Sequence, residues 1–225
     1  ALTDFLSEGV VQLVGGLDTD LMDHTLKLGF LTCQVFSMVL CRESYLYFYI
    51  SACVYANELI FLLLTGGEPL LHADMPEFLA KVREMGFKIK LDTNGTFPDR
   101  LIEIVNAGLV DRVAMDIKNP PELYARTVGL EKLDISAIER SKDFLLEGRV
   151  DYEFRTTAVK GLHTEESIAR AAKWIEGAKE YYLQQFKDSG QLLAGAGLGA
   201  FNEEEMKALA DAARPYVPVV QLRGL

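Results

Sequence analysis

Cysteine is scarce in this chain of 225 residues: only Cys33, Cys41 and Cys53 occur. So few, and an odd number, exclude a secreted scaffold stapled by disulfides and point to a reducing compartment. Long apolar runs are missing too. The longest uncharged stretches, such as residues 44–57, fall short of the roughly 18–20 apolar residues that a spanning helix needs. No signal peptide is read at the start of the chain, so a cytoplasmic protein that keeps off membranes is expected. Positive charge is the third deficit. Lys and Arg number 23 against 33 Asp and Glu, a net charge of −10. That disfavours a non-specific grip on nucleic acid or anionic lipid, since those contacts run on Lys and Arg. A small molecule or a protein is the expected partner.

What is present is the composition of a folded domain able to bury a core, 49% hydrophobic and 25% charged, and one domain spanning 1–225 is expected. Its charge is unevenly spread. Residues 1–64 hold 7 acidic and 2 basic groups, and their periodicity is muddled. The segment YLYFYISACVY favours strand by its aromatic and β-branched content but lacks the turn signals that would bound one. From Leu59 onward two periods alternate clearly. LIFLLL reads as a buried strand. DMPEFLAKVREMG then reads as a helix with Asp74 as N-cap, Glu77 completing a capping box, an apolar face of Phe78, Leu79, Val82 and Met85, and Gly86 as the stop. FKIKLD, VDRVAMDIK, DYEFRTTAV, YYLQQF and YVPVVQL read as further strands. Helices are expected in PDRLIEIVNAG, PPELYA, DISAIERSKDFLLEG, after Thr164 and after Asn202, with Glu205 reaching back to Asn202. Such alternation argues an α/β fold with a parallel sheet, either open and doubly wound or a full or partial (β/α) barrel.

In these folds reactive groups come from the carboxyl ends of strands, which open on one face. Read in order, the strand ends carry Gly66-Gly67-Glu68, Asp92-Thr93-Asn94-Gly95, Asp116-Ile117-Lys118, then Arg155 and Lys160 to His163, then Gln184-Gln185. Each has a plain structural reading. Asp-Thr-Asn-Gly is ordinary turn chemistry. Lys118 suits a solvated loop, and His163 suits a helix entry. Arg155 could be an ion-pair partner of Glu153, whose strand face it shares, or of Asp116, which that geometry leaves open. Five consecutive polar tips form a candidate site all the same.

Taken in series, TGGEPLL, KLDTNGTFP, VAMDIKN, DYEFRTT and YLQQFKDSG resemble the radical S-adenosylmethionine superfamily, and within it the activating enzymes of glycyl-radical enzymes, of the anaerobic ribonucleoside-triphosphate reductase type. The resemblance covers about residues 59–225. It implies a partial (β/α) barrel of parallel strands, open on one side to admit a glycine-bearing loop of a partner. It implies S-adenosyl-L-methionine held by Gly66, Gly67 and Glu68 along its methionyl end. It places Asp92, Thr93 and Asp116 at the cofactor or at a nearby cation, Lys118 and Arg155 as positive neighbours of the ligand, and Gln185 facing the same pocket. The chemistry implied is one-electron reduction by a [4Fe–4S] cluster, cleavage of the sulfonium to methionine and a 5′-deoxyadenosyl radical, and hydrogen abstraction that installs a glycyl radical on the partner enzyme. Flavodoxin or ferredoxin is the implied electron donor.

One motif of that family is missing. The cluster is held by CxxxCxxC on a loop, and counting from Cys33 the partner positions are Ser37 and Leu40, with Cys41 one residue late and Cys53 remote. Ligation by Cys33, Cys41 and Cys53 would need a different chain path, and small buried side chains are the plainer reading of all three. The alternative to the enzyme is therefore a barrel that binds S-adenosylmethionine or a partner but lacks the cluster and is catalytically inactive.

Overall fold

The structure is a computed structural model. It describes the backbone of residues 34–41, 47–55 and 58–62, and residues 63–65, 67–187 and 197–225 in full. The chain divides into two compact units, one of residues 1–91 with 108–111 and one of residues 92–107 with 112–225.

The first unit opens with β1 (Gln34–Cys41), β2 (Tyr47–Tyr55) and β3 (Glu58–Thr65). β1 pairs antiparallel with β2 and β2 antiparallel with β3, so the described part of the segment with muddled periodicity consists of antiparallel strands. β3 then pairs parallel with β4 (Lys88–Thr93). Between them lie a short 3-10 turn (Pro69–Leu71) and helix α1 (Met75–Glu84). Met75, Phe78, Leu79 and Val82 are buried, the spacing that puts one apolar stripe on the sheet. Two expectations need correction here. Met85 caps the helix and is 40% exposed. Asp74 occupies the N-cap position at φ −89° and ψ 9°, outside the extended conformation usual for a cap, and makes no capping side-chain hydrogen bond, while the Glu77 side chain pairs with Lys81. Asp111 ties down the start of β4: its carboxylate accepts from the Ile89 amide and from Arg83, and its own amide donates to the Ile89 carbonyl.

The second unit holds the tip of β4, Asp92 and Thr93, followed by α2 (Pro98–Asn106), β5 (Arg112–Asp116), α3 (Pro121–Thr127), α4 (Ser136–Leu146), β6 (Asp151–Ala158), α5 (Glu165–Trp174), β7 (Glu180–Gln185), α6 (Glu203–Ala213) and β8 (Val219–Arg223). β5 to β8 pair in chain order and all in parallel, as strands separated by crossover helices must. Val113, Ala114 and Met115 are buried in succession, as are Tyr181, Tyr182 and Leu183, the pattern of strands covered on both faces. The expected Asn202–Glu205 capping box is formed, and a second one joins Thr164 to Ser167. Among the described residues no helix is long and apolar enough to cross a membrane.

Candidate functional site

β4 and β5 end in polar or charged groups, β6 carries Arg155 three residues before its end at Ala158, and in the second unit Asp92, Asp116, Arg155 and the following Lys118 form one alternating chain. Arg155 donates from Nη1 to Asp92 Oδ2 at 3.0 Å and from Nε to Asp116 Oδ1 at 2.9 Å. Asp116 Oδ2 in turn accepts from Lys118 Nζ at 2.7 Å. Register explains the middle link, since Asp116 and Arg155 are direct cross-strand partners of β5 and β6. Side-chain exposure rises along the chain, 9% for Asp92, 18% for Arg155, 23% for Asp116 and 37% for Lys118. Lys118 is thus the wet end and Asp92 the dry one. Burial alone would lower the Arg155 pKa, but the carboxylates of Asp116 and Asp92 outweigh it and the net shift is upward. Asp92 Oδ1 is buried and has no hydrogen-bond partner among the described residues, an arrangement that native proteins rarely leave without a ligand or water.

The turn after Asp92 is both structural and positional. Thr93 Oγ1 accepts from the Gly95 amide at 3.1 Å, and Asn94 Oδ1 accepts from the amide and hydroxyl of Thr96. Gly95 has φ of 79°, and a Cβ there would run into the Met115 side chain. The positive φ is what favours glycine here, and any side chain would also make the end of Met115 shift. Buried Ser141 donates to its carbonyl at 2.7 Å.

Of the glycine pair, Gly66 lies outside the described residues. Gly67, in the first unit, has φ of 52° and is exposed, and Glu68 Oε1 accepts from the Leu70 amide at 3.1 Å, capping the 3-10 turn. Gln185 Nε2 donates to the Phe201 carbonyl at 2.8 Å, tying the end of β7 to the segment before α6. Cys33 lies outside the described residues. The β1–β2 register sets Cys41 opposite Tyr47 and Cys53 opposite Val35. At ~3.4 Å per residue these two positions lie about 20 Å apart along the hairpin. A cluster needs its thiolates gathered around one small face, so Cys41 and Cys53 do not fit a shared cluster. The cation that the resemblance implies near Asp92, Thr93 and Asp116 fits no better, because three of the four carboxylate oxygens already face Arg155 or Lys118.

Three residues around this chain make contacts with its backbone that the sequence did not reveal. Tyr124 donates to the Asp116 carbonyl, Thr156 to the Ile117 carbonyl and His163 Nε2 to the Lys118 carbonyl. In the sequence Tyr124 lay in an expected helix and Thr156 in an expected strand with no role marked, and His163 read as a helix entry; its place directly before the Thr164 cap bears out that position while hiding the contact. A groove of about 430 Å³ beside α2 and α4, lined by Ile102, Glu139, Arg140 and Phe144 among others, lies on the helical layer and contains none of these groups.

The family model of the radical SAM superfamily matches residues 54–175. The chain belongs to the radical SAM superfamily. The match includes Gly66 to Glu68, Asp92, Asp116, Lys118 and Arg155, and it begins after all three cysteines. A Methanocaldococcus jannaschii protein whose name assigns it provisionally to glycyl-radical enzyme activation is 31% identical over 73% of this chain and 70% of its own length. The 7-carboxy-7-deazaguanine synthase of Methanopyrus kandleri is 36% identical over 44% of this chain and 41% of its own. Among solved structures, a domain of the pyruvate-formate lyase-activating enzyme of Bacteroides vulgatus superposes with a TM-score of 0.58 at 17% identity, covering 72% of this chain and 98% of that one. SuiB of Streptococcus suis gives 0.57 at 12% identity, over 75% of this chain and 40% of that one. The fold class is accordingly α/β, with parallel strands and helices of the partial (β/α)-barrel type found in radical SAM activases.

Proposed function

We propose that the strand tips bind S-adenosylmethionine and that the protein is an activating enzyme for a glycyl-radical partner such as an anaerobic ribonucleotide reductase. The observation that carries the reading is the Asp92–Arg155–Asp116–Lys118 chain with its buried, unsatisfied Asp92 oxygen. Arg155 and Lys118 suit a carboxylate, and Asp92 Oδ1 suits a ligand ammonium or hydroxyl donor. An amino-acid ligand bearing both groups satisfies the set. Thr93, Asp116 and Gln185 would complete the site beside them. S-adenosylmethionine bound there, given one electron by a donor of the flavodoxin or ferredoxin class, would supply a 5′-deoxyadenosyl radical for hydrogen abstraction from a glycine of the partner, with methionine as the other product. The residues here bind and orient the ligand; no role is derived for the implied [4Fe–4S] cluster, whose thiolates Cys41 and Cys53 do not supply together.

That register favours a second reading, a barrel of the same family that binds S-adenosylmethionine or a partner without reductive chemistry. Calorimetric titration separates binding from its absence. The native chain binds, and Arg155→Met or Lys118→Ala lowers affinity by about tenfold or more, as loss of a charge-assisted pair does. Unchanged affinity in both variants rejects the site. Anaerobic incubation with dithionite and chromatography for 5′-deoxyadenosine then decides between the readings, product supporting the enzyme and its absence from a protein that binds supporting the inactive barrel.

A further inference from the structure

β5 ends at Asp116, yet the next stretch of chain is held as firmly as a strand. Three successive carbonyls each receive a side-chain donor: Asp116 from Tyr124 Oη at 3.3 Å, Ile117 from Thr156 Oγ1 at 2.5 Å, and Lys118 from His163 Nε2 at 2.8 Å. Because the Thr156 proton goes to Ile117, Tyr181 must donate to Thr156 Oγ1, at 2.6 Å. All four side chains are at least nine-tenths buried. Asn119 adds a second seam beside the third, donating from Nδ2 to the Leu162 carbonyl at 3.1 Å. His163 is the member whose state the geometry sets. Its Nδ1 lies 3.0 Å from the Val159 amide nitrogen and 3.3 Å from the Val159 carbonyl oxygen, and Nε2 lies 2.8 Å from the Lys118 carbonyl. Since that carbonyl can only accept and the nearer Val159 group can only donate, the neutral ring carries its proton on Nε2.

We propose that His163 is a positioning residue for Lys118: its Nε2–H fixes the Lys118 carbonyl so that the ammonium stays directed at Asp116 and toward ligand, although the imidazole touches none itself. The inference rests on the reading of Lys118 as a ligand-binding cation. A residue that only closed the 159–163 turn would need Nδ1 alone, since that nitrogen receives the Val159 amide. Holding Lys118 needs Nε2 alone.

Two amide substitutions separate these roles. A glutamine amide reaches the Nε2 position and keeps the donor to Lys118; an asparagine amide reaches the Nδ1 position and keeps only the acceptor for Val159. Trace acetylation of Lys118 with acetic anhydride, read by mass spectrometry, reports its exposure and pairing without any cofactor, and calorimetry with S-adenosylmethionine reports binding. H163Q is expected to stay within about twofold of the native protein in both, whereas H163N labels faster and binds weaker by about fivefold, the size expected for one lost hydrogen bond. Equal behaviour of H163N and the native chain in labelling overturns the proposal, and so do equal losses in H163Q and H163N. If the native protein does not bind S-adenosylmethionine, the functional reading falls while labelling still decides the positioning. Should H163N not fold, long-range proton–nitrogen NMR on the native protein decides: a proton on Nε2 supports the inference and one on Nδ1 overturns it.

Discussion

Glu153 and Arg155 stand two residues apart on the same face of β6, and their surroundings differ in kind. Glu153 is 1% exposed and both its oxygens are taken, Oε1 by Arg223 at 2.7 Å and Oε2 by Arg112 at 2.8 Å and Arg223 at 3.1 Å. Arg112 also reaches Asp151 and Glu180, and the Arg223 guanidinium lies 3.5 Å from the Tyr182 ring centroid. Burial lowers the Arg112 pKa, the hydrogen bonds from Glu153 and Glu180 outweigh it, and the net shift is upward. This network is closed: charge meets charge, and the buried carboxylate has its partners. The Arg155 network is open at both ends, with an unsatisfied oxygen on Asp92 and a Lys118 that solvent reaches. A closed network suits a structural tie, and an open one with perturbed charge suits a ligand.

The largest effect on stability is expected at Glu153. Glu153→Ala leaves two guanidiniums facing each other and should cost about 3 kcal/mol in urea denaturation, the lower part of the range for a broken buried pair because Arg112 and Arg223 keep some solvent. Affinity for S-adenosylmethionine should fall by less than about twofold. Asp92→Asn should do the reverse, costing about 1 kcal/mol or less while weakening ligand binding by about tenfold. If Asp92→Asn destabilises as strongly as Glu153→Ala, the upper network is a structural tie like the lower one.

The smallest effect is a pH dependence. Burial holds the His163 pKa below its ordinary value of 6.5, assisted by the nearby Lys118 charge and opposed by the hydrogen bonds that a charged ring can donate to the Lys118 and Val159 carbonyls. The unfolded state therefore binds a proton at higher pH than the folded one. The contribution to stability is complete above 6.5 and is lost as pH falls from there through the depressed folded value. Melting temperature should drop between pH 7.5 and 5, and His163→Gln should flatten that drop. Equal slopes in the two proteins would place the titrating group elsewhere.

Much of the fold was legible because its signals are local. The alternation of LIFLLL with PEFLAKV, the stops at Gly86 and Gly108 and the Asn202–Glu205 box each depend on residues within a turn or two. The Asp-Thr-Asn-Gly segment read as turn chemistry, and Thr93 and Asn94 do accept from the turn amides. Residues 1–64 were less legible, since β1 and β2 are defined by pairing with each other and with β3 rather than by bounding turns. The partner of Arg155 was left open between Glu153 and Asp116, because face periodicity says which side of β6 a residue takes and nothing about which residues of β5 stand opposite.

From Leu59 onward the sequence by itself determined which segments would be strands and helices and that polar groups would gather at strand ends, because hydrophobic period and capping chemistry act over a few residues. Only the tertiary structure decided which charges meet. Arg155 finds Asp116 across 39 positions and Asp92 across 63, and His163 finds the Lys118 carbonyl across 45. Those contacts depend on the register of parallel strands joined by helices of differing length, a quantity written in no short stretch of chain.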